Sequence, residues 1–359
     1  MERTVERLLG VRVVERIDLG SGEQAPVARL ILDRPYDGIG PTVIAKGLRR
    51  GGTAWGGGAE FQRNEKLALN HLRGTGLAPV LLASNEESAN ELHEQDEQVM
   101  VMSDLGPGPT VQELLFGDDP DAATEGLLAM ARLAAKLHSA VDPHFTAVHE
   151  VQFLDHPLHL WPELVDAAAK LGFPPPGDVE LAALADDLGS RATFTHGDLT
   201  PNNVVLVDGE ARLVDLEGAG RRHPGMDAAG LRLPFPAYGY WAVLPDDVLA
   251  QVDRAYRDGL GPLDDSTYEH LMATGCAAWA IVRAARLRLI ASTDQDPAEA
   301  VRRRTQIVQT LTSAAATAVP LYPALGRWFE ELAGSMQLRW EEARRPPRGF
   351  QAFKDFSNQ

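Results

Sequence analysis

The chain has a single cysteine, Cys276, among 359 residues, which excludes an intramolecular disulfide and a cysteine-built zinc site. Within an alanine-rich run it reads as a small buried apolar side chain. Long apolar runs are missing too: the longest, Leu271 to Val282, is shorter than a bilayer span and is followed by Arg283. Met1 to Arg7 is charged and has no signal-peptide core. Basic residues are in deficit, with 34 Lys and Arg against 51 Asp and Glu, for a formal charge of −17. That deficit argues against a nucleic-acid partner, whose phosphates are neutralised by Lys and Arg. It is compatible with a cationic small substrate drawn to an acidic cleft, although acidity serving solubility gives the same count. Six of the acids fall between Glu86 and Glu97, in what reads as a solvated loop. These absences predict a cytoplasmic protein that has neither a membrane nor a nucleic acid as partner.

What remains is globular in composition, 44% hydrophobic and 24% charged, and the length suits two domains. The most informative stretch is Phe194-Thr195-His196-Gly197-Asp198-Leu199-Thr200-Pro201-Asn202-Asn203, followed after a short apolar hairpin by Leu213-Val214-Asp215-Leu216-Glu217. His196, Asp198 and Asn203 stand in the order H-x-D-x-x-x-x-N. In that pattern one Asp addresses an acceptor hydroxyl, and the Asn with a later Asp holds magnesium on nucleotide phosphates. Phosphoryl transfer needs an acceptor positioned in line and phosphate charge neutralised, and these residue types supply both.

Upstream, Val11 to Asp18 and Val27 to Leu32 read as strands around Leu19-Gly20-Ser21-Gly22-Glu23-Gln24, a turn of the kind laid over phosphates. The match to G-x-G-x-x-G is partial, with Ala25 at the third glycine position, and a plain hairpin turn has the same appearance. Thr42 to Lys46 is a β-rich run ending in a lysine, a position ordinarily solvated. The helix expected over Glu60 to Leu72 offers Glu65 as an ion-pair partner for Lys46, with Glu60 as competitor. Ala78 to Ala83 and Gln98 to Met102 read as strands. Ser103 to Pro109 breaks the composition and reads as a hinge, where backbone from Ser103 to Leu105 can meet a nucleotide base. Beyond it the texture is helical, beginning with a capping box at Thr110-x-x-Glu113. His156-x-x-His159 invites a metal reading, but Pro157 between the two and the lack of a third ligand argue against it. Helices are expected over about 246–258, 266–291, 297–316 and 328–340. The division expected is 1–105, 106–343 and a loosely ordered tail, 344–359.

Taken together, the His196–Asn203 stretch, Val214-Asp215-Leu216-Glu217, Ile44-Ala45-Lys46, Glu65, Val101 to Leu105 and Leu137-His138-Ser139 resemble the aminoglycoside phosphotransferase and choline kinase-like family. The resemblance implies an α+β, protein kinase-like bilobal fold, with a small N-terminal antiparallel-sheet lobe and a larger, mainly helical C-terminal lobe. It implies ATP or GTP as donor and Mg2+ as cofactor. Asp198 is then the catalytic base, and Asn203 and Asp215 the metal ligands. Lys46, held by Glu65, grips the α- and β-phosphates, with Gly20, Ser21 and Gly22 over them and Ser103 and Leu105 at the base. His196 braces the loop, Glu217 is an accessory candidate for a second metal or a cationic acceptor, and Asp227 ties the loop to the helix after it. Gly197 replaces the arginine of H-R-D, and only eleven residues separate Asp215 from Asp227, too few for a protein-substrate platform. The expected activity is transfer of the γ-phosphate to a hydroxyl of an amino-bearing or cationic small molecule, most sharply an aminoglycoside-type antibiotic. The alternatives are a biosynthetic kinase for an amino alcohol, a sugar or a peptide precursor, and a nucleotide-binding pseudokinase.

Overall fold

A computed structural model describes all residues except 21–25, 48–57, 86–97, 175, 238–239, 291–296, 346–347 and 359. The chain divides into two compact units. Met1–Gly108, Thr146–His149 and Arg212–Ala219 form the first, and Pro109–Phe145, Glu150–Ala211 and Gly220–Gln359 the second. The division is therefore not linear: the short segment that carries Asp215 returns to the first unit.

The first unit opens with α1 (Glu2–Leu9), which buries Thr4, Val5 and Leu9 and ends at Gly10 in the left-handed region, φ 66°. Its five strands are β1 (Val13–Asp18), β2 (Val27–Leu32), β3 (Thr42–Gly47), β4 (Leu81–Ser84) and β5 (Val99–Ser103), with α2 (Gly58–His71) between β3 and β4. The sheet order is β1-β2-β3-β5-β4, antiparallel throughout. Period-two alternation sends Ala28, Leu30 and Leu32 of β2 to the interior. The register sets Ala28 against Ala45 and Leu30 against Val43, and it sets Lys46 beside Met100 of β5. Val5 and Leu9 of α1 pack into the same apolar cluster as Ala28, Val43, Ala45, Val99 and Val101. Helix α2 buries Phe61, Ala68 and Leu69, and with them the polar Gln62, Asn64 and Glu65.

The second unit begins with α3 (Val111–Leu115), capped as expected: the Glu113 N–H donates to Thr110 Oγ1 at 3.1 Å and the Thr110 N–H to Glu113 Oε2 at 2.7 Å. Helices α4 (Pro120–Ala140), α5 (Gln152–Asp155), α6 (Trp161–Lys170) and α7 (Leu181–Ser190) follow, so the segment rich in proline and histidine contains a helix its composition hides. Next come β6 (Thr193–Thr195), β7 (Val204–Val207), β8 (Glu210–Leu213), β9 (Gly220–Arg222) and α8 (Gly225–Ala228). The chain ends with the hairpin β10 (Phe235–Ala237) and β11 (Tyr240–Ala242), then α9 (Asp246–Gly259), α10 (Asp265–Ala284), α11 (Leu287–Ile290), α12 (Pro297–Ala318) and α13 (Pro323–Arg339). Strand β6 pairs with β9, setting Thr195 opposite Gly220. Ala273, Cys276, Ala277, Ala280 and Ile281 of α10 form one core with Leu311 and Ala314 of α12 and Leu325 and Phe329 of α13. Burial pushes the Cys276 thiol up to about 12, in keeping with an inert apolar filler. The stretch expected as a loose tail is in part packed, with Phe350 and Phe353 both buried; two aromatic rings remove enough apolar area from water to hold a short terminal segment.

Small residues let α8 and α10 approach at backbone distance. A Cβ at Gly275 would lie 2.2 Å from the Gly225 carbonyl oxygen, and one at Gly225 would lie 2.7 Å from the Leu271 carbonyl oxygen. Gly275→Ala therefore lowers the unfolding free energy by about 2 kcal/mol or more, measured by urea denaturation. A variant as stable as the parent contradicts this close approach.

Candidate active site

The second unit builds its share around the loop that leaves β6. Thr195 and His196 are fully buried. The Asp227 carboxylate, at the end of a chain turn 31 residues downstream, accepts the His196 N–H at 2.6 Å and the Gly197 N–H at 3.0 Å. It also receives His138 Nε2 of α4 at 3.2 Å, and the other ring nitrogen of His138 meets the Tyr256 hydroxyl of α9 at 2.8 Å. Burial alone would raise the Asp227 carboxyl, but the hydrogen bond and charge of His138 and the His196 N–H hold it below the usual range. Gly197 sits at φ 83°, a left-handed conformation that disfavours any side chain there. This gives a backbone reason for the missing arginine.

The loop is closed by its own polar side chains. The Asp198 N–H donates to His196 Nδ1 at 3.2 Å, so His196 braces the turn through its ring. The Asn203 amide donates to the Asp198 carbonyl at 2.9 Å and to Asp198 Oδ2 at 3.0 Å. Asn202 donates to Asn203 Oδ1 at 2.8 Å, and the Thr200 hydroxyl to Asn202 Oδ1 at 2.8 Å. The chain Thr200–Asn202–Asn203–Asp198 fixes which way the Asn203 amide faces and orients the Asp198 carboxylate.

In the first unit, Lys46 Nζ donates to Glu65 Oε2 at 2.6 Å and to Asp215 Oδ1 at 2.5 Å, with Glu217 Oε2 at 3.9 Å. Of the two candidate partners in α2, Glu65 is the one that meets Lys46. Burial alone would lower the ammonium pKa, but the charges of Asp215, Glu65 and Glu217 outweigh it and hold it well above its ordinary value. Burial pushes the Glu65 carboxyl up, against the pull of Lys46. Asp215 adopts φ 62° and ψ 56°, a left-handed conformation that Asp tolerates better than most non-glycine residues and that recurs at functional sites. Glu65, Asp215 and Glu217 bring three carboxylate oxygens within 4.8 Å of one another. Hard oxygen donors of this kind fit the chemistry of Mg2+.

Asn64, which no motif singles out, organises this cluster. Only 1% exposed, it donates to the Glu217 carbonyl at 3.0 Å and the Ala219 carbonyl at 2.8 Å, and accepts the Val148 N–H at 3.1 Å. Its one sequence signal is its place beside Glu65. At the expected hinge, the Ser103 N–H is committed to the Val80 carbonyl at 2.9 Å, which removes that donor from recognition of a base. Asp104 instead grips Arg29, with Nε to Oδ2 at 2.6 Å, and Leu105 is half-buried beside it. Gly20 is described but makes no close packing contact for a Cβ, whereas Ser21 and Gly22 lie outside the described residues. A cavity of about 800 Å³ among α7, α10 and the end of α12 is lined by Asp187, Arg191, Glu269 and His270. None of the predicted site residues lines it, so its size alone does not place chemistry there.

An antiparallel five-stranded sheet bearing a buried Lys–Glu pair, and a mainly helical unit bearing the H-x-D-x-x-x-x-N loop, define the protein kinase-like class of phosphotransferases. The profile of the APH phosphotransferase enzyme family matches residues 56–271, more than half of the chain, and the chain belongs to this family of small-molecule O-kinases. The match takes in Glu65, Asp198, Asn203, Asp215 and Asp227; Lys46 lies before it. Among solved structures, the choline kinase of Cryptosporidium parvum superposes with a TM-score of 0.54 at 12% identity, over 88% of this chain and 93% of that one. A proposed fructosamine-3-kinase from Thermobifida fusca gives 0.51 at 18%, over 88% and 98%. An amicoumacin kinase in complex with AMP-PNP, Ca2+ and Ami gives 0.50 at 12%, over 92% of each. At these identities the likeness establishes the fold. No curated protein matches the sequence.

The carboxylates around Lys46 depend on its charge. Lys46→Met leaves them facing one another and lowers stability at pH 7 by about 3–5 kcal/mol, while the double variant Lys46→Met/Glu65→Leu regains a large part of that loss. Urea denaturation of the four proteins of this cycle reads the coupling. Equal stability of Lys46→Met and the parent would remove the cation's structural role.

Proposed function

We propose that the protein transfers the γ-phosphate of ATP or GTP to a hydroxyl of an amino-bearing or cationic small molecule, most sharply an aminoglycoside-type antibiotic. The observation that carries the reading is the Asp198 carboxylate, oriented by Asn203 at 3.0 Å in a loop pinned by Asp227. Asp198 positions the acceptor hydroxyl and accepts its proton late in transfer. Lys46, steadied by Glu65, holds the α- and β-phosphates. Asn203 and Asp215 are the residues that would hold Mg2+, with Glu217 as accessory to a second ion or to a cationic acceptor. Bound magnesium supplies neutralisation of phosphate charge. Gly20, Ser21 and Gly22 cover the phosphates, and the backbone at Ser103 and Leu105 meets the base through groups other than the Ser103 N–H. In this reading residues 1–105 bind nucleotide and 106–343 supply catalysis and the acceptor site.

The net charge of −17 supports a cationic acceptor through long-range attraction. Among the described residues no helix is long and apolar enough to cross a membrane, and with the lone cysteine this supports a role in the cytoplasm, where nucleoside triphosphates are at hand. A biosynthetic kinase is the second reading, because the similar folds include one named for choline and one proposed to act on fructosamine.

An acceptor panel with ATP or GTP and Mg2+, read by mass spectrometry for an added phosphate, separates the two. Aminoglycosides as the sole acceptors support the first reading. Turnover confined to amino alcohols, sugars or serine-bearing peptides supports the second, and nucleotide binding without any transfer overturns both. Asp198→Asn is expected to cut turnover by about a thousandfold or more while leaving nucleotide affinity nearly intact; unaltered turnover would sink the assignment of Asp198.

A further inference from the structure

The C-terminal half of α10 and the middle of α12 enclose a chamber lined by Arg283, Arg286, Arg303, Gln306, Ile307 and Thr310. Its free volume, about 10 Å³, accepts the centre of one water-sized atom. Among the described residues that line it, three are cationic and none is acidic. Thr310 is completely buried, and its hydroxyl finds no hydrogen-bond partner among the described residues. A helical threonine can satisfy its hydroxyl on the preceding turn, and an orphaned buried hydroxyl is a costly feature that calls for an occupant.

Two of the three arginines are held in place by contacts outside the chamber. Arg283, 6% exposed, lies over the Trp279 ring at 5.2 Å and donates to the Pro234 carbonyl at 3.2 Å. Arg303 uses its Nε on Glu299 at 2.6 Å. Burial, reinforced by the charge of Arg286, pushes the Arg283 guanidinium down to about 9. A water molecule in the chamber satisfies the hydroxyl alone, whereas an anion accepts from the hydroxyl and also meets the net positive charge that three guanidinium groups beside the single carboxylate of Glu299 leave there.

We infer that this chamber between α10 and α12 binds one small monovalent anion, a halide or the terminal oxygen of a carboxylate, held by Arg283, Arg286 and Arg303 with Thr310 Oγ1 as an added donor. None of the residues assigned to phosphoryl transfer lines this chamber, so its test does not depend on the kinase reading.

Sodium bromide soaked into crystals of the full chain places an anomalous peak in contact with Arg283 and Thr310. In solution, replacing gluconate by chloride, bromide or formate at constant ionic strength raises the melting temperature along a saturating curve. Formate binding more tightly than chloride identifies a carboxylate as the natural occupant, and the reverse order identifies a halide. Thr310→Val and Arg303→Gln each weaken the apparent affinity about tenfold. Thr310→Val is nearly isosteric and decides the matter where Arg303→Gln fails to fold. A chamber holding water alone in the bromide crystal overturns the inference. So does bromide binding at crystal concentration only, without a saturating effect in solution, or the same melting curves in the parent and both variants.

Discussion

A buried carboxylate, Asp227, with an exposure of only 7%, sets the geometry on which the second unit's chemistry depends. A charge removed from water survives only if fully hydrogen-bonded, and Asp227 is satisfied by two consecutive backbone N–H groups and one imidazole. Those backbone donors belong to His196 and Gly197, so satisfying the charge fixes the path of the chain one residue before Asp198. The imidazole belongs to α4 and passes the constraint on to Tyr256 of α9. Moving the loop that carries Asp198 would therefore strip a buried charge of its donors and disturb the packing of two long helices. Such a penalty holds the backbone before Asp198 to one path.

The first unit solves the converse problem, a buried cation. Lys46 comes from the end of β3 with its chain fixed by pairing to β2 and β5, and its ammonium is compensated by carboxylates from α2 and from the turn after β8. Asn64 ties that turn to α2 through two carbonyls, which lets Asp215 keep a left-handed backbone. The strained residue is held by its neighbours rather than by its own preference. In each unit the polar residues expected to act are fixed by other polar residues whose role is to be satisfied.

Much of this was legible in the sequence because it is periodic or local. The alternation of β2, the amphipathic pattern of α2 and the Thr110–Glu113 capping box come from interactions within a few residues, and the structure places them where those patterns predict. The spacing of His196, Asp198 and Asn203 carried the loop for the same reason. What the sequence hid depends on distant partners. Asn64 meets carbonyls more than 150 residues away, and Ser103 loses its N–H to Val80 across an irregular stretch. Helix α6 is masked by flanking prolines and histidines, although Pro162 stands in its first turn, where proline is tolerated. Phe350 and Phe353 look like tail residues until the core they reach is known.

The same distinction explains why the acceptor stays out of view in the region after Asp227. Helix α10 spends its sequence on contact distance: Gly275 lets the backbone of α8 approach, and Cys276, Ala277, Ala280 and Ala284 are small, buried core positions. Those choices record how closely α8 and α12 pack against it, not what binds beside them. The chemically distinctive residues of this region are the few that depart from that pattern, Trp279 with its indole N–H on the Met226 carbonyl and Arg283 stacked on its ring. A half-buried indole and a buried guanidinium in an alanine-rich helix each bear a cost that packing alone does not require. These two side chains are the part of α10 that helix packing does not explain, because the small residues around them are already accounted for by how closely α8 and α12 approach.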